Sequence, residues 1–305
     1  MSHLPLLRET PTYWSSHPQV ELKYDKDIWR EVPVQPLRTL QMFVTNRCNL
    51  RCEGCFYAAR LDQTEMSLKE YIDTVDRYAG KVDRITILGG EPTLHRDLPE
   101  MVRYNRGLGL KTTIYTNGRD LDRTCDLAAQ VRVGVHGLGD SEKPLTAVPM
   151  TIKPFTLVYM LSKANMDDLR YVPGIVNSWW PQVDQFYLSS IRDVTKSGDF
   201  WADTPGTLSN ERYAEVVQNF INNPALAQRF RRLHISTRGT LKTAAQDFSS
   251  CQTCRFGNLY PGGQTTQCPM DIGLGVQGEN LFPEQERRCR RSSACVLQKI
   301  CLERI

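Results

Sequence analysis

The run Leu40-Gln41-Met42-Phe43-Val44 leads directly into Thr45-Asn46-Arg47-Cys48-Asn49-Leu50-Arg51-Cys52-Glu53-Gly54-Cys55-Phe56-Tyr57. A short β-rich segment thus empties into a loop that carries three cysteines at C-x3-C-x2-C spacing. Working outward, further β-rich runs follow at Arg84–Leu88, Lys111–Tyr115, Val131–Val135, Phe155–Leu161 and Gln185–Leu188. Amphipathic stretches lie between them. Ser67-Leu68-Lys69-Glu70 reads as a capping box, after which Leu68, Ile72, Val75 and Ala79 recur at helical spacing. Asp97-Leu98-Pro99-Glu100 offers a second helix start of the same kind, and Asp120–Ala129 a further helical stretch holding Cys125. Strands alternating with helices predict an α/β fold around a parallel sheet, here a partial (β/α)6 barrel of TIM type. In such a fold the loops at the C-terminal edge of the strands carry the chemistry.

The chain has 305 residues, 40% of them hydrophobic and 24% charged, which argues against disorder. No apolar run approaches the roughly 20 residues needed to cross a bilayer, and Met1-Ser2-His3-Leu4-Pro5 does not open a signal peptide. A cytoplasmic location without a membrane partner is expected. The net charge of +4 permits a polyanionic partner without demanding one. Ten cysteines in short-spaced groups point to metal rather than to disulfides.

Three regions are expected. Residues 1–37 form an N-terminal extension with five prolines and with Tyr13, Trp14 and Tyr24. Residues 38–247 form the barrel core, with a polar insert at Thr195–Thr207 and a helix whose Tyr213, Val216, Val217, Phe220 and Ile221 make one core stripe. Residues 248–305 form a small cysteine-rich domain.

Three thiolates in one loop can hold three irons of a cubane cluster and leave the fourth iron open to an external chelating ligand. A zinc knuckle or unpaired structural thiols are the competing readings. Zinc usually takes four closed ligands, and no neighbouring histidine completes a set. The segment resembles the signature of the radical S-adenosylmethionine (radical SAM) superfamily. The resemblance implies that Cys48, Cys52 and Cys55 ligate a 4Fe–4S cluster whose open iron chelates S-adenosylmethionine. Reductive cleavage then yields a 5′-deoxyadenosyl radical that abstracts hydrogen from substrate.

Two further motifs fall in register. Leu88-Gly89-Gly90-Glu91-Pro92 after the second run is similar to the family's methionine-binding turn, where glycines admit close backbone approach and a carboxylate faces an ammonium. Thr116-Asn117-Gly118 closes the third run. By the same resemblance Phe56 lies beside adenine, and Gly89, Gly90, Glu91, Thr116 and Asn117 hold the cofactor. Polar residues at later strand ends, His136, Ser162, Asn165 and Arg192, are weaker candidates, of which Arg192 is carried forward as cofactor-binding.

The second cysteine group is Cys251-x2-Cys254-x13-Cys268, followed by Cys289, Cys295 and Cys301, with Gly257, Gly262 and Gly263 supplying turns of a hairpin. It resembles the auxiliary-cluster region of the molybdenum-cofactor GTP cyclases and the twitch and SPASM domains. At least one auxiliary 4Fe–4S cluster follows from that resemblance, on Cys251, Cys254 and Cys268 with a ligand from the later set; a zinc-stabilised tail competes. The double-glycine C-terminus of the cyclases is missing, so their substrate is not carried over. Arg287, Arg288, Arg290 and Arg291 form a basic patch that suits phosphate.

A radical SAM enzyme acting on a metabolite or nucleotide-like molecule is therefore expected, fed by an external reductant such as flavodoxin or ferredoxin. The same chemistry on a nucleic acid or peptide is the alternative. A non-catalytic iron–sulfur electron-transfer module is a third, disfavoured because such a module has no use for the two S-adenosylmethionine motifs.

Overall fold

The computed structural model describes residues 20–21, 39–52, 55, 57–124, 127, 129–135, 155–172, 183–190, 206, 208, 210–221, 232–235 and 256–266. Its elements in chain order are β1 (Val20–Glu21), β2 (Thr39–Thr45), α1 (Leu68–Tyr78), β3 (Arg84–Gly89), α2 (Leu98–Gly107), β4 (Lys111–Thr116), β5 (Gln130–Val135), β6 (Phe155–Leu161), β7 (Val183–Ser190), α3 (Asn210–Ile221), β8 (Arg232–Ile235), β9 (Phe256–Leu259) and β10 (Thr265–Thr266). The strands form one open sheet in the order β1-β8-β7-β6-β5-β4-β3-β2-β9-β10. Successive strands from β2 to β8 are parallel neighbours. All six expected strands are present and the α/β architecture is that of a partial barrel.

One face of the sheet is a continuous apolar layer. Leu40, Met42 and Val44 of β2, Ile85 and Ile87 of β3 and Ile114 of β4 pack with Tyr71, Val75 and Tyr78 of α1 and Met101 and Val102 of α2. Residues alternate across a strand, so the intervening positions line the opposite, concave face.

The capping box of α1 is formed. Ser67 Oγ accepts from the Glu70 amide and the Glu70 carboxylate accepts from the Ser67 amide at 2.7 Å. The buried stripe of α1 is Tyr71, Thr74, Val75 and Tyr78 rather than Leu68, Ile72, Val75 and Ala79, because the two tyrosines carry more apolar area than the aliphatics. Tyr71 also has a buried polar partner, its hydroxyl meeting the Asn105 side chain at 2.8 Å. Ser67→Ala removes the bond that Oγ accepts from the Glu70 amide while leaving the backbone amide of residue 67 bonded to Glu70, and is expected to cost about 1 kcal/mol, read as a small fall in melting temperature with the cysteine loop intact.

At α2 the expected box does not form. Asp97 makes no side-chain cap, and its amide donates to His95 Nδ1 at 3.1 Å. Between β4 and β5 the described residues hold a 3-10 turn, Asp122–Thr124, flanked by the buried Leu121 and Leu127; residues 125, 126 and 128 of the expected helical stretch, Cys125 among them, lie outside the described residues. The α3 stripe is core as expected, with Tyr213, Val216, Val217 and Phe220 buried.

Two pairings were not foreseen. Val20–Glu21 of the N-terminal extension runs parallel to β8. Phe256–Leu259 lies parallel to β2, with Leu40 opposite Gly257 and Met42 opposite Leu259. Gly257 is thus a strand residue, and the hairpin to β10 turns on Gly262 and Gly263, with φ of +81° and +76°. Among the described residues no helix is long and apolar enough to cross a membrane.

Candidate active site

The cysteine loop leaves the C-terminal end of β2 through a clamped neck. The Asn46 amide donates to the Thr64 carbonyl at 2.8 Å and the Met66 amide to the Val44 carbonyl at 2.9 Å. Between them Thr45 Oγ1 donates to Glu65 at 3.1 Å, and the same carboxylate oxygen takes Arg47 Nη1 at 3.1 Å. Both ends of the segment are therefore fixed to the sheet, and the three thiols ride on a loop of defined path. Cys48, Cys52 and Cys55 are all half-buried and none is in a disulfide.

Inside the loop the Leu50 amide points at Cys48 Sγ, 3.4 Å away, and the Cys55 amide donates to the Cys52 carbonyl at 3.3 Å. Burial pushes the Cys48 and Cys55 thiols up, against the backbone donors Leu50 and Tyr57. Metal loading of these groups must displace protons. A single tetrahedral ion with metal–sulfur bonds of about 2.3 Å would draw its ligands onto one point. Among the described residues no three Cys, His, Asp or Glu side chains converge in that way. Three separate thiols on one half-buried loop suit a cluster whose irons take one cysteine each.

The two neighbouring strand ends close on this loop. The Gly90 amide donates to the Thr45 carbonyl and the Glu91 amide to the Arg47 carbonyl, each at 2.7 Å. A Cβ on Gly89 would stand 2.3 Å from the Thr45 oxygen, and one on Gly90 would stand 2.2 Å from the Arg47 oxygen. The backbone that these glycines admit in this structure is the cysteine loop itself.

Glu91 is 1% exposed and fully engaged. Its Oε1 accepts from the Thr93 amide at 3.1 Å, Thr93 Oγ1 at 2.7 Å and Thr116 Oγ1 at 2.7 Å; its Oε2 accepts from the Asn117 amide at 2.7 Å. Four donors match the roughly four lone-pair sites of a carboxylate. Glu91 thereby ties the end of β3 to the end of β4. From there Asn117 reaches back, its Nδ2 donating to Asn49 Oδ1 at 2.7 Å. Asn49 and Thr93 had no sequence signal beyond their neighbourhood to the motifs.

On the other side of the loop Tyr57 stacks on Phe43, their ring centroids 4.9 Å apart, and Phe43 on Tyr260 at 4.8 Å. Arg60 lies over the Tyr260 ring at 4.5 Å and donates to Gln264 at 2.8 Å. Tyr57 is held by Asn46 at 2.6 Å, and burial pushes its hydroxyl pKa up. The hairpin β9–β10, which falls between Cys254 and Cys268 in sequence, is thus seated against the cysteine loop.

The structure brings together Cys48, Cys52, Cys55, Gly89, Gly90, Glu91, Thr116 and Asn117. Ser162 and Asn165, at the end of β6, are buried and close their own turn: the Ser162 amide donates to Asn165 Oδ1 at 2.8 Å, and Asn165 Nδ2 donates to the Met160 carbonyl at 2.9 Å. Phe56, Cys125, His136, Arg192, Cys251, Cys254, Cys268, Arg287, Arg288, Cys289, Arg290, Arg291, Cys295 and Cys301 lie outside the described residues.

Comparison with known proteins bears on the same segment. The Radical SAM superfamily profile matches residues 42–148, which run from within β2 past the end of β5 and include all three loops. An Fe-coproporphyrin III synthase of Methanosarcina barkeri is 36% identical over 104 residues, 32% of this chain and 25% of that protein. A probable GTP 3′,8-cyclase of Metallosphaera sedula is 26% identical over 284 residues, 82% of this chain and 88% of that protein. The first three curated relatives are each matched over 25% to 40% of their own length. In fold, the chain resembles the crystal structure of Streptococcus suis SuiB bound to its precursor peptide SuiA, with a TM-score of 0.62 at 14% identity over 82% of this chain and 63% of that one. The family's 4Fe–4S cluster and S-adenosylmethionine suit three cysteines outside any disulfide on a clamped loop with two strand ends bonded to it, and over residues 42–148 the chain matches the radical SAM superfamily.

Proposed function

We propose that this chain is an enzyme that cleaves S-adenosylmethionine reductively and uses the product to abstract hydrogen from a metabolite or nucleotide-like substrate. The observation that carries the reading is the joining of three strand ends: the cysteine loop, the Gly89-Gly90-Glu91 turn and the Thr116-Asn117 turn are hydrogen-bonded to one another. Cys48, Cys52 and Cys55 would hold the cluster. When bound, cluster and cofactor supply a 5′-deoxyadenosyl radical. Gly89 and Gly90 present backbone at the methionine end, and Glu91 fixes the direction of Thr116 and Asn117 at the nucleoside end. Phe56 and Arg192 complete the proposed cofactor contacts. A buried, bonded frame of this kind positions the cofactor and keeps water from a reactive species.

In the same reading residues 1–37 are an extension, 38–247 the barrel core and 248–305 an auxiliary domain, with Cys251, Cys254 and Cys268 and at least one of Cys289, Cys295 and Cys301 holding a second cluster. The seating of the β9–β10 hairpin on the cysteine loop supports an auxiliary site beside the first. A cytoplasmic flavodoxin or ferredoxin is the proposed reductant. A small or nucleotide-like substrate is favoured by the long match to a GTP cyclase. The structural likeness to a peptide-bound protein keeps the polymer reading second.

Anaerobically reconstituted protein given dithionite and S-adenosylmethionine is expected to release 5′-deoxyadenosine, detected by mass spectrometry, with about eight irons and eight sulfides per chain. Intact clusters without any deoxyadenosine would overturn the enzymatic reading. About four irons and four sulfides would remove the auxiliary cluster.

A further inference from the structure

The concave face of the sheet carries a charge arrangement that the cofactor frame does not use. Ile85, Ile87 and Ile114 face the helices, so Arg84 and Thr86 of β3 and Thr113 and Tyr115 of β4 face the other way. Tyr115 is the register partner of Arg132 on β5, and Thr113 of Gln130, which puts those two residues on the same concave face. Arg132 Nη1 donates to the Tyr115 hydroxyl at 2.6 Å. The Nε atoms of Arg84 and Arg132 are sequestered from solvent and have no hydrogen-bond partner. Among the described residues neither guanidinium pairs with a carboxylate.

Two partly buried cations on one sheet face, with no carboxylate partner among the described residues, are costly. Burial and then the like charge of Arg132 draw the Arg84 pKa down, whereas Arg132 is raised, chiefly by the Tyr115 phenol beside it. An anion between the two forks would satisfy both donors and cancel the repulsion, and guanidinium suits two-oxygen groups in particular. Thr86, Thr113 and Gln130 add neutral polar groups around it.

Resting on the proposed function, the geometry points to Arg84 and Arg132, with Tyr115, as the site on the concave face that holds the phosphate or carboxylate group of a small substrate. Arg84 begins β3 and Gly89 ends it, a separation of about 16 Å along the strand. Arg132 stands opposite Tyr115, one residue before Thr116, and Arg84 opposite Lys111 at the other end of β4, so the anionic end of the substrate lies between these two levels with the reacting end toward the cluster edge.

The test is anaerobic calorimetric titration of the reconstituted full chain with inorganic phosphate and, separately, malonate. At least one of the two binds, the tighter identifying phosphate or carboxylate as the group preferred. Arg84→Met and Arg132→Met weaken that probe at least tenfold, and Arg132→Lys, which keeps the charge but not the fork, weakens it less. Iron content and far-UV circular dichroism matching the parent show that the variants fold. If Arg132→Met does not fold, Tyr115→Phe and Arg132→Lys must still weaken the probe. Binding of neither anion, or binding indifferent to all four substitutions, overturns the site. Loss of anion binding in the variants of a protein that never forms 5′-deoxyadenosine would sink the enzymatic reading and leave the anion site standing.

Discussion

Cys52→Ala is expected to abolish release of 5′-deoxyadenosine and to lower the iron content by about four per chain, the complement of one 4Fe–4S cluster. The middle cysteine is the strictest probe of the three because it is placed from both sides. The Cys55 amide closes a turn on its carbonyl at 3.3 Å, and Cys48 upstream is held by the Leu50 amide. A cluster that loses this ligand needs another donor, and the acid whose charge reaches Cys48 is Glu91. That carboxylate is already bound by four donors from Thr93, Thr116 and Asn117. Freeing it would break the tie between two strand ends. Cleavage preserved in Cys52→Ala, measured by mass spectrometry against the parent protein at equal concentration, would refute the ligand set.

Gly90→Ala is expected to act almost as severely by a different route. The new methyl would sit 2.2 Å from the Arg47 carbonyl oxygen, 2.6 Å from its carbon and 2.9 Å from the Asn46 oxygen, all backbone atoms. Unstrained contacts need about 3.5 Å, so the cysteine loop must retreat from β3 by about 1 Å. That movement breaks the Gly90–Thr45 and Glu91–Arg47 hydrogen bonds, both 2.7 Å. A displacement of this size at reacting groups costs about a hundredfold in rate. Overpacking adds about 3 kcal/mol of destabilisation, a drop in melting temperature of roughly 6–10 °C. Gly107→Ala is the matched control, since a Cβ there meets nothing within 4 Å. Deoxyadenosine yield in Gly90→Ala equal to that in Gly107→Ala would show that the turn does not set the position of the loop.

The barrel strands were legible because each one is a β-rich run whose alternate residues enter one apolar layer, and strand periodicity survives in a single sequence. The site was legible for a related reason: cysteine spacing and a glycine pair are local patterns. What the glycines and Glu91 touch is not local. Glu91 was read as a partner for an ammonium, yet its four donors come from Thr93 beside it and from Thr116 and Asn117 on the next strand. Strand β9 escaped for want of length, since four residues carry almost no periodic signal. The alternation in Phe256-Gly257-Asn258-Leu259-Tyr260 before Pro261-Gly262-Gly263 was the available cue. Arg84 and Arg132 looked like ordinary strand charges because they lie on different strands far apart in sequence, and only the strand order β3, β4, β5 puts them on one sheet.

The pairing of β9 with β2 bears on how the chain is made. Leu40 finds its neighbour Gly257 more than two hundred positions later, and Arg60 bonds to Gln264 across 204 residues. A ribosome releases the cysteine loop long before it releases the strand that flanks it. Until then one rim of β2 offers unsatisfied amides and carbonyls to any passing strand. Contacts this distant in sequence also slow the approach to the native state. Maturation should therefore proceed in order, with the last third of the chain docking before the loop is rigid enough to receive iron. A product stopped at residue 247 would take up iron poorly and associate through the open rim of β2.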